Sequence, residues 1–101
     1  IVLPTVMEYN AEATGEKLRD VAIAMGVEGV EKMSQEEYRK AAVDAVKKLS
    51  QDVGIPADLK AIVKPEDLDF LTQSAMDDAC RPGNPREPKF EDIKALFLQL
   101  L

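Results

Sequence analysis

The 101-residue chain contains no histidine. That absence excludes a histidine general base, a Ser-His-Asp triad and any histidine-ligated metal held by this segment alone. Cys80 is the single cysteine and cannot form an internal disulfide, which points to a reducing cytoplasm. These residues hold no apolar run of roughly 18 or more, and no basic segment leading into small residues, so neither a membrane span nor a signal peptide is read. Glycine-rich phosphate cradles are missing too, since neither GxGxxG nor GxxxxGK[ST] occurs. Basic residues are outnumbered, 13 Lys and Arg against 19 Asp and Glu. The resulting net charge of −6 argues against nucleic acid, whose phosphates require a basic surface. The period-two alternation that marks a strand is also absent.

What is present describes a helical protein. Hydrophobic residues make up 46% and charged ones 32%, the balance of a soluble globular chain, and the length allows a single domain over 1–101. The most legible stretch begins at Ser34, which with Glu37 forms a capping box. Tyr38, Ala41, Ala42, Ala45, Val46, Leu49 and Val53 then recur at helical spacing and give one continuous apolar stripe. Glu36, Lys40, Asp44, Lys48 and Asp52 alternate in sign at i, i+4 on a solvated face. Gly54 supplies a left-handed stop, and Pro56 prevents continuation.

Around this central helix the other elements follow in order. Val2, Leu3, Val6 and Met7 fit a buried helical stripe with no cap before it, Pro4 suits an early helical position or a kink in a helix begun upstream, and Asn10 is a stop. The abrupt start at Ile1 reads as a cut through a longer protein, with a processed terminus as the alternative. Thr14 is expected to cap a helix carrying Leu18, Val21, Ala22 and Met25, closed by Gly26. Ile55 to Leu59 is expected to turn into about one helical turn. Pro65, followed by Glu66 and Asp67, starts a helix with Leu68, Leu71, Ala75 and Ala79 on its stripe and Thr72 and Met76 beside it. Arg81 to Pro88 holds three prolines and a glycine, a loop or ordered turn. Phe90, Ile93, Phe97 and Leu101 share one face of a last helix, while Leu96, Leu98 and Leu100 spread apolar character round it, so burial on several sides is expected. The predicted fold is all-α, with about five helices and short loops.

Chemistry-bearing residues are sparse. Asp77 and Asp78, with Glu66, Asp67 and Asp69 nearby, offer oxygen donors for a hard cation, but without EF-hand spacing they read as a wet helix face. Cys80 falls at the end of the helix from Pro65, where the negative dipole end disfavours a thiolate, so it reads as packing or pocket lining. Arg86 reads as a partner for nearby carbonyls or a surface acid. The four methionines read as gap-fillers. No catalytic constellation, metal set or cofactor motif assembles from these residues.

Several stretches together resemble the C-terminal helical domain of the iron-dependent alcohol dehydrogenases. Leu3-Pro4-Thr5-Val6-Met7-Glu8-Tyr9-Asn10 is similar to that family's LPxVMxYN segment, and Thr14-Gly15-Glu16-Lys17-Leu18-Arg19-Asp20 continues the match. Asp52-Val53-Gly54-Ile55-Pro56 and the run from Asp77 to Arg86 are most similar to the lactaldehyde reductase branch. The resemblance runs in order along essentially the whole chain. It implies the helical domain of a dehydroquinate synthase-like, iron-containing alcohol dehydrogenase fold. One departure is Lys89, where relatives place a Thr able to cap the last helix.

The resemblance implies a parent enzyme with an N-terminal nucleotide-binding domain for NAD(P) and a divalent metal, Fe2+ or Zn2+, held by one aspartate and three histidines. None of the four ligands maps onto this chain. The last histidine lies in a HGxxN-like stretch that would fall upstream of Ile1. Cys80 matches a cysteine that this branch places in the substrate cavity. The implied function is oxidation or reduction of small alcohols or aldehydes such as lactaldehyde, in a cytoplasmic homo-oligomer, with the segment inactive alone. The alternative is a free-standing helical protein-interaction module that docks partners through its apolar ends, Ile1 to Met7 and Leu96 to Leu101.

Overall fold

In the computed structural model, which describes residues 1–101, five α-helices are joined by short loops and 3-10 turns, and no strand forms. The helices are α1 (Leu3–Asn10), α2 (Lys17–Ala24), α3 (Gln35–Asp52), α4 (Leu68–Met76) and α5 (Phe90–Leu98). This is the all-α architecture that the hydrophobic periodicity predicts. Contacts gather the chain into two compact units, Leu3–Ala57 together with Ile1, and Asp58–Leu101 together with Val2.

The first unit is built on α3, whose two ends are fixed by its sequence. At the start, the Glu37 N–H donates to Ser34 Oγ and the Ser34 N–H donates to Glu37 Oε1, both at 3.2 Å. This completed capping box satisfies two amides that have no partner within the helix. At the far end Gly54 adopts φ +77°. Its N–H donates to the Gln51 carbonyl at 3.1 Å, and that of Ile55 to the Ser50 carbonyl at 2.8 Å. That pair of bonds is a Schellman motif, which needs the left-handed residue that glycine provides without steric cost. α2 ends the same way: Gly26 sits at φ +83°, and Gly26 and Val27 donate to Ile23 and Ala22, each at 3.0 Å.

α2 packs on the first half of α3. Leu18, Ala22, Val30, Tyr38 and Ala42 form a buried cluster, with Met7, Ala11, Val21, Val27 and Met33 packed round it. Ala22 and Ala42 lack bulk, so the two helices approach closely, while burial of Leu18, Val30 and Tyr38 contributes about 1.5–3 kcal/mol each. Polar ties add orientation. Arg39 Nη2 and Gln35 Nε2, one turn apart on α3, both donate to the Gly15 carbonyl, at 3.0 and 3.3 Å. Lys47 reaches Glu8 on α1 at 2.6 Å, but both side chains are about half exposed, so solvent holds this pair to less than about 1 kcal/mol.

The charged face of α3 forms as its spacing predicts, with Lys40 paired to Asp44 at 2.5 Å and Lys48 to Asp52 at 2.9 Å. The hydrogen bond that Lys40 donates to the Asp44 carboxylate, reinforced by that group's charge, raises the pKa of Lys40 above the ordinary 10.5. The stabilisation from that shift is complete below pH 10.5 and is lost only as pH rises through the raised value.

Three expectations are corrected. Val2 and Leu3, expected on a buried stripe with Val6 and Met7, are exposed, because the first turn of α1 buries Pro4 instead. Thr14 does not cap α2: its hydroxyl donates to the Ala11 carbonyl at 2.7 Å, closing a 3-10 turn over Ala11–Ala13. The following Gly15 delays the helix, and Glu16 takes the cap position without a side-chain bond. The stripe of α3 is also buried over only part of its length. Tyr38 and Ala42 are buried, and Val43 joins them, whereas Leu49 and Val53 are exposed. The reason is the length of α2: its 8 residues cannot cover an 18-residue neighbour.

In the second unit, Pro65–Asp67 forms a 3-10 turn that feeds α4. The Asp67 carboxylate accepts from the Lys64 N–H at 3.0 Å, one half of a capping box, since a lysine side chain cannot supply the acceptor for the other half. α5 starts in the same way, with Asp92 accepting from the Lys89 N–H at 2.9 Å and no cap from the Lys89 side chain. Leu68 and Thr72 are buried on α4. Phe90, Ile93, Phe97 and Leu101 are all half-buried, as one shared face predicts. No residue of α5 is fully buried and Leu98 is exposed, so the burial on several sides expected for this helix is not met. Lys94 on α5 pairs with Asp69 on α4 at 2.6 Å.

The Leu59 N–H donates to the Leu100 carbonyl at 2.8 Å, tying the chain's end to the loop that opens this unit. After the stretch Ile55 to Leu59, Ile62 and Val63 both donate to the Leu59 carbonyl at 2.9 Å, the single helical turn expected there. Ala79 lies exposed beyond the end of α4 and takes no part in its stripe.

Candidate functional site

The only residue with a site role in the sequence reading is Cys80. It lies past the C-terminus of α4 rather than on its last turn, because α4 stops at Met76. There it precedes a 3-10 turn at Arg81–Gly83, and its thiol is free and exposed. Its position is fixed through the backbone: the Cys80 N–H donates to Asp78 Oδ1 at 2.7 Å, an Asx-type turn made by the aspartate's short carboxylate. Asp77 is engaged separately, accepting from Gln73 Nε2 at 3.0 Å. Asp78 therefore orders the turn.

The loop beyond Cys80 is held by Arg81. Its side chain is half-buried, and Nε donates to the Met76 carbonyl at 2.7 Å, one of the last carbonyls of α4, which lack partners within the helix. Nη1 lies 3.8 Å from the exposed carboxylate of Glu87. Asn84 Nδ2 donates to the Arg86 carbonyl. The sequence reading gave Arg86 nearby carbonyls or a surface acid and assigned no role to Arg81. The signal was available, because an arginine shortly after a helix end is well placed to reach that end's free carbonyls.

This arrangement can present a thiol at a fixed place, with no histidine to activate it. Nor do three or more His, Cys, Asp or Glu side chains converge anywhere to hold a metal ion. The residues of this chain do not fit an iron centre of their own, and no step through a metal is assigned to them. A shallow groove of about 140 Å3 lies in the first unit, lined by Pro4 and Thr5 of α1, Ser50 of α3, and Ile55, Pro56 and Ala57 beyond it. Lys47 also borders it, with its ammonium directed to Glu8.

A helical fold with this order of caps, loops and apolar faces has a counterpart among known proteins. The chain matches the C-terminal part of the Fe-containing alcohol dehydrogenase family over residues 1–101, and it belongs to that family. Among its relatives is lactaldehyde reductase of Escherichia coli strain K12, 56% identical over 98 residues that cover 96% of this chain and 25% of that protein. The 1,3-propanediol dehydrogenase of Klebsiella pneumoniae is 35% identical over 100 residues, covering 98% of this chain and 26% of the relative. In structure, the chain superposes on a crystallised 1,3-propanediol oxidoreductase with a TM-score of 0.94 at 34% identity, covering 100% of this chain and 26% of that one. The chain thus spans about a quarter of the length of the relatives it matches. The family is the one that the residues resemble. No helix here is long and apolar enough to cross a membrane.

Proposed function

We propose that residues 1–101 are the C-terminal helical part of a longer, metal-dependent, NAD(P)-linked alcohol dehydrogenase or aldehyde reductase acting on small alcohols or aldehydes such as lactaldehyde. The observation that carries this reading is 56% identity to lactaldehyde reductase across 96% of the chain. In such an enzyme these residues form a wall of the active-site cleft. The metal, Fe2+ or Zn2+, and the nicotinamide nucleotide are held by residues outside them, including an N-terminal nucleotide-binding domain, and the segment alone is inactive. Cys80 lines the substrate cavity and sets its size without entering the chemistry. Its exposed, backbone-anchored placement supports that role. A cytoplasmic homo-oligomer completes the reading.

The test is to express the longer polypeptide from its gene and follow NAD(P)H oxidation with lactaldehyde and longer aldehydes. Activity is expected. In that protein Cys80→Ala should leave turnover of the small aldehyde within about tenfold, about 1.4 kcal/mol of barrier. Cys80→Phe should reject longer substrates by filling the cavity. Loss of all turnover in Cys80→Ala, with metal content and fold intact, would make the cysteine catalytic and the assignment wrong. An intact gene product of about this length would instead support the interaction module.

A further inference from the structure

The Cys80 thiol is free and exposed, and a single rotatable bond carries it from the backbone. Where the sulfur stands therefore follows where the backbone of Cys80 stands. That backbone is tied at both of its polar groups. The Cys80 carbonyl accepts from the Gly83 N–H at 3.0 Å, a bond between main-chain atoms. The Cys80 N–H donates to Asp78 Oδ1 at 2.7 Å, and here a side chain supplies the acceptor. An ionised acceptor makes this the stronger kind of hydrogen bond. The next amide, that of Arg81, donates to the Asp78 carbonyl at 3.1 Å, so Asp78 holds the turn on both sides of the Cys80 peptide. Asp77 accepts from Gln73 Nε2 at 3.0 Å instead. The side chain of Arg81 ties the same turn to the end of α4, through Nε and the Met76 carbonyl at 2.7 Å. Of these two side-chain ties, only the one from Asp78 ends on Cys80 itself.

We infer that Asp78 is a positioning residue for substrate selectivity: through the Cys80 amide it sets where the wall of the substrate cavity stands. The inference rests on the cavity role of Cys80 proposed above and goes beyond it, to the residue that fixes that wall. Asp78 acts through the geometry of its acceptor rather than through its charge. An aspartate oxygen is the right distance from the main chain to meet the amide two residues on. A glutamate carries its oxygens one methylene further and does not close that turn, whereas the amide oxygen of asparagine accepts in the same place. Without the acceptor the exposed Cys80 N–H turns to water. The wall then loosens and yields to longer substrates.

The test uses the longer polypeptide and reads the ratio of kcat/KM for lactaldehyde to kcat/KM for pentanal. Asp78→Ala and Asp78→Glu should each lower that ratio at least about threefold, while Asp78→Asn should hold it within about 1.5-fold. In a Cys80→Ala background, Asp78→Ala should shift the ratio by less than about 1.5-fold, because the side chain it positions has gone. A merely structural role would lower both substrates together and leave the ratio where it was. Should Asp78→Ala fail to fold, the Asp78→Asn and Asp78→Glu pair carries the comparison, with thermal unfolding as the check on each. An unchanged ratio in Asp78→Glu, in an enzyme whose substrate profile Cys80→Phe does alter, would overturn the inference and leave the cavity reading standing. A ratio in Asp78→Asn as low as in Asp78→Glu would assign the effect to something other than the acceptor and overturn it as well. If Cys80→Phe leaves the profile unchanged, the cavity reading falls, and the inference with it.

Discussion

The two compact units reach order by different routes. In the first, Leu3–Ala57, order is written into helix ends: a full capping box at Ser34, and Schellman closures at Gly26 and Gly54 that leave α2 and α3 with defined lengths. An apolar cluster then packs those helices through Leu18, Ala22, Tyr38 and Ala42. In the second, Asp58–Leu101, the helix starts have only half-boxes from Asp67 and Asp92. α5 buries no residue fully, and the turn after α4 depends on Arg81 reaching back to Met76. The first unit thus closes α3 at both ends by local bonds and adds side-chain ties between distant stretches, Arg39 and Gln35 to Gly15 and Lys47 to Glu8. The second closes its helix starts by half-boxes and the end of α4 by an arginine five residues on.

The largest expected effect breaks the first unit at its cluster. Tyr38→Ala removes a buried aromatic side chain and should cost about 3–5 kcal/mol. Hydrogen exchange should show protection falling across α2 and α3 while α4 and α5 keep theirs. Equal loss across all five helices would mean that the two units fold as one cooperative body.

A smaller effect tests the cap. An alanine Cβ at Gly54 would meet nothing within 4 Å, so Gly54→Ala isolates the cost of φ +77° from any clash. That cost is about 1–2 kcal/mol in thermal or denaturant unfolding. A neutral result would show that the Schellman closure does not define the end of α3.

The third effect should have the opposite sign. Thr72 in the second unit is 0% exposed, and its Oγ1 has no hydrogen-bond partner. Thr72→Val replaces a buried, unsatisfied hydroxyl with a methyl of the same shape. It should be neutral or stabilise by up to about 1 kcal/mol. A loss of stability larger than that would mean the hydroxyl makes a bond, to water or to another group, that matters for the fold.

These contrasts also explain what the sequence made legible. Ser34 with Glu37, Gly26 and Gly54 each carry a local physical instruction, and the helix boundary falls where that instruction places it, whereas Pro65 with its acids opens a 3-10 turn and α4 begins three residues later at Leu68. The Thr14 cap failed because a hydroxyl can serve either the helix ahead or the turn behind, and the Ala11 carbonyl won. The exposure of Leu49 and Val53 was not readable, because a stripe says which face is apolar but not how far its partner extends. For the candidate site, the sequence put Cys80 at the end of the helix from Pro65, because the proline and glycine signals begin only at Arg81, whereas α4 stops at Met76. The link of Cys80 to a substrate cavity came only from family resemblance, since a lone cysteine has no spacing that encodes a pocket. Thr72 was seen beside the stripe of α4, but nothing in sequence shows that its hydroxyl lacks a partner.

The division of labour within the enzyme is tested most directly by metal content. The proposed function assigns the metal wholly to residues outside 1–101, because this chain has no histidine and no converging set of ligands. The 101-residue chain and the longer polypeptide should each be incubated with Fe2+ or Zn2+, dialysed against a mild chelator and measured by inductively coupled plasma mass spectrometry. The expected result is stoichiometric metal in the longer protein and none above blank in the shorter one. Stoichiometric metal kept by the shorter chain, or none in the longer one, would contradict the assignment.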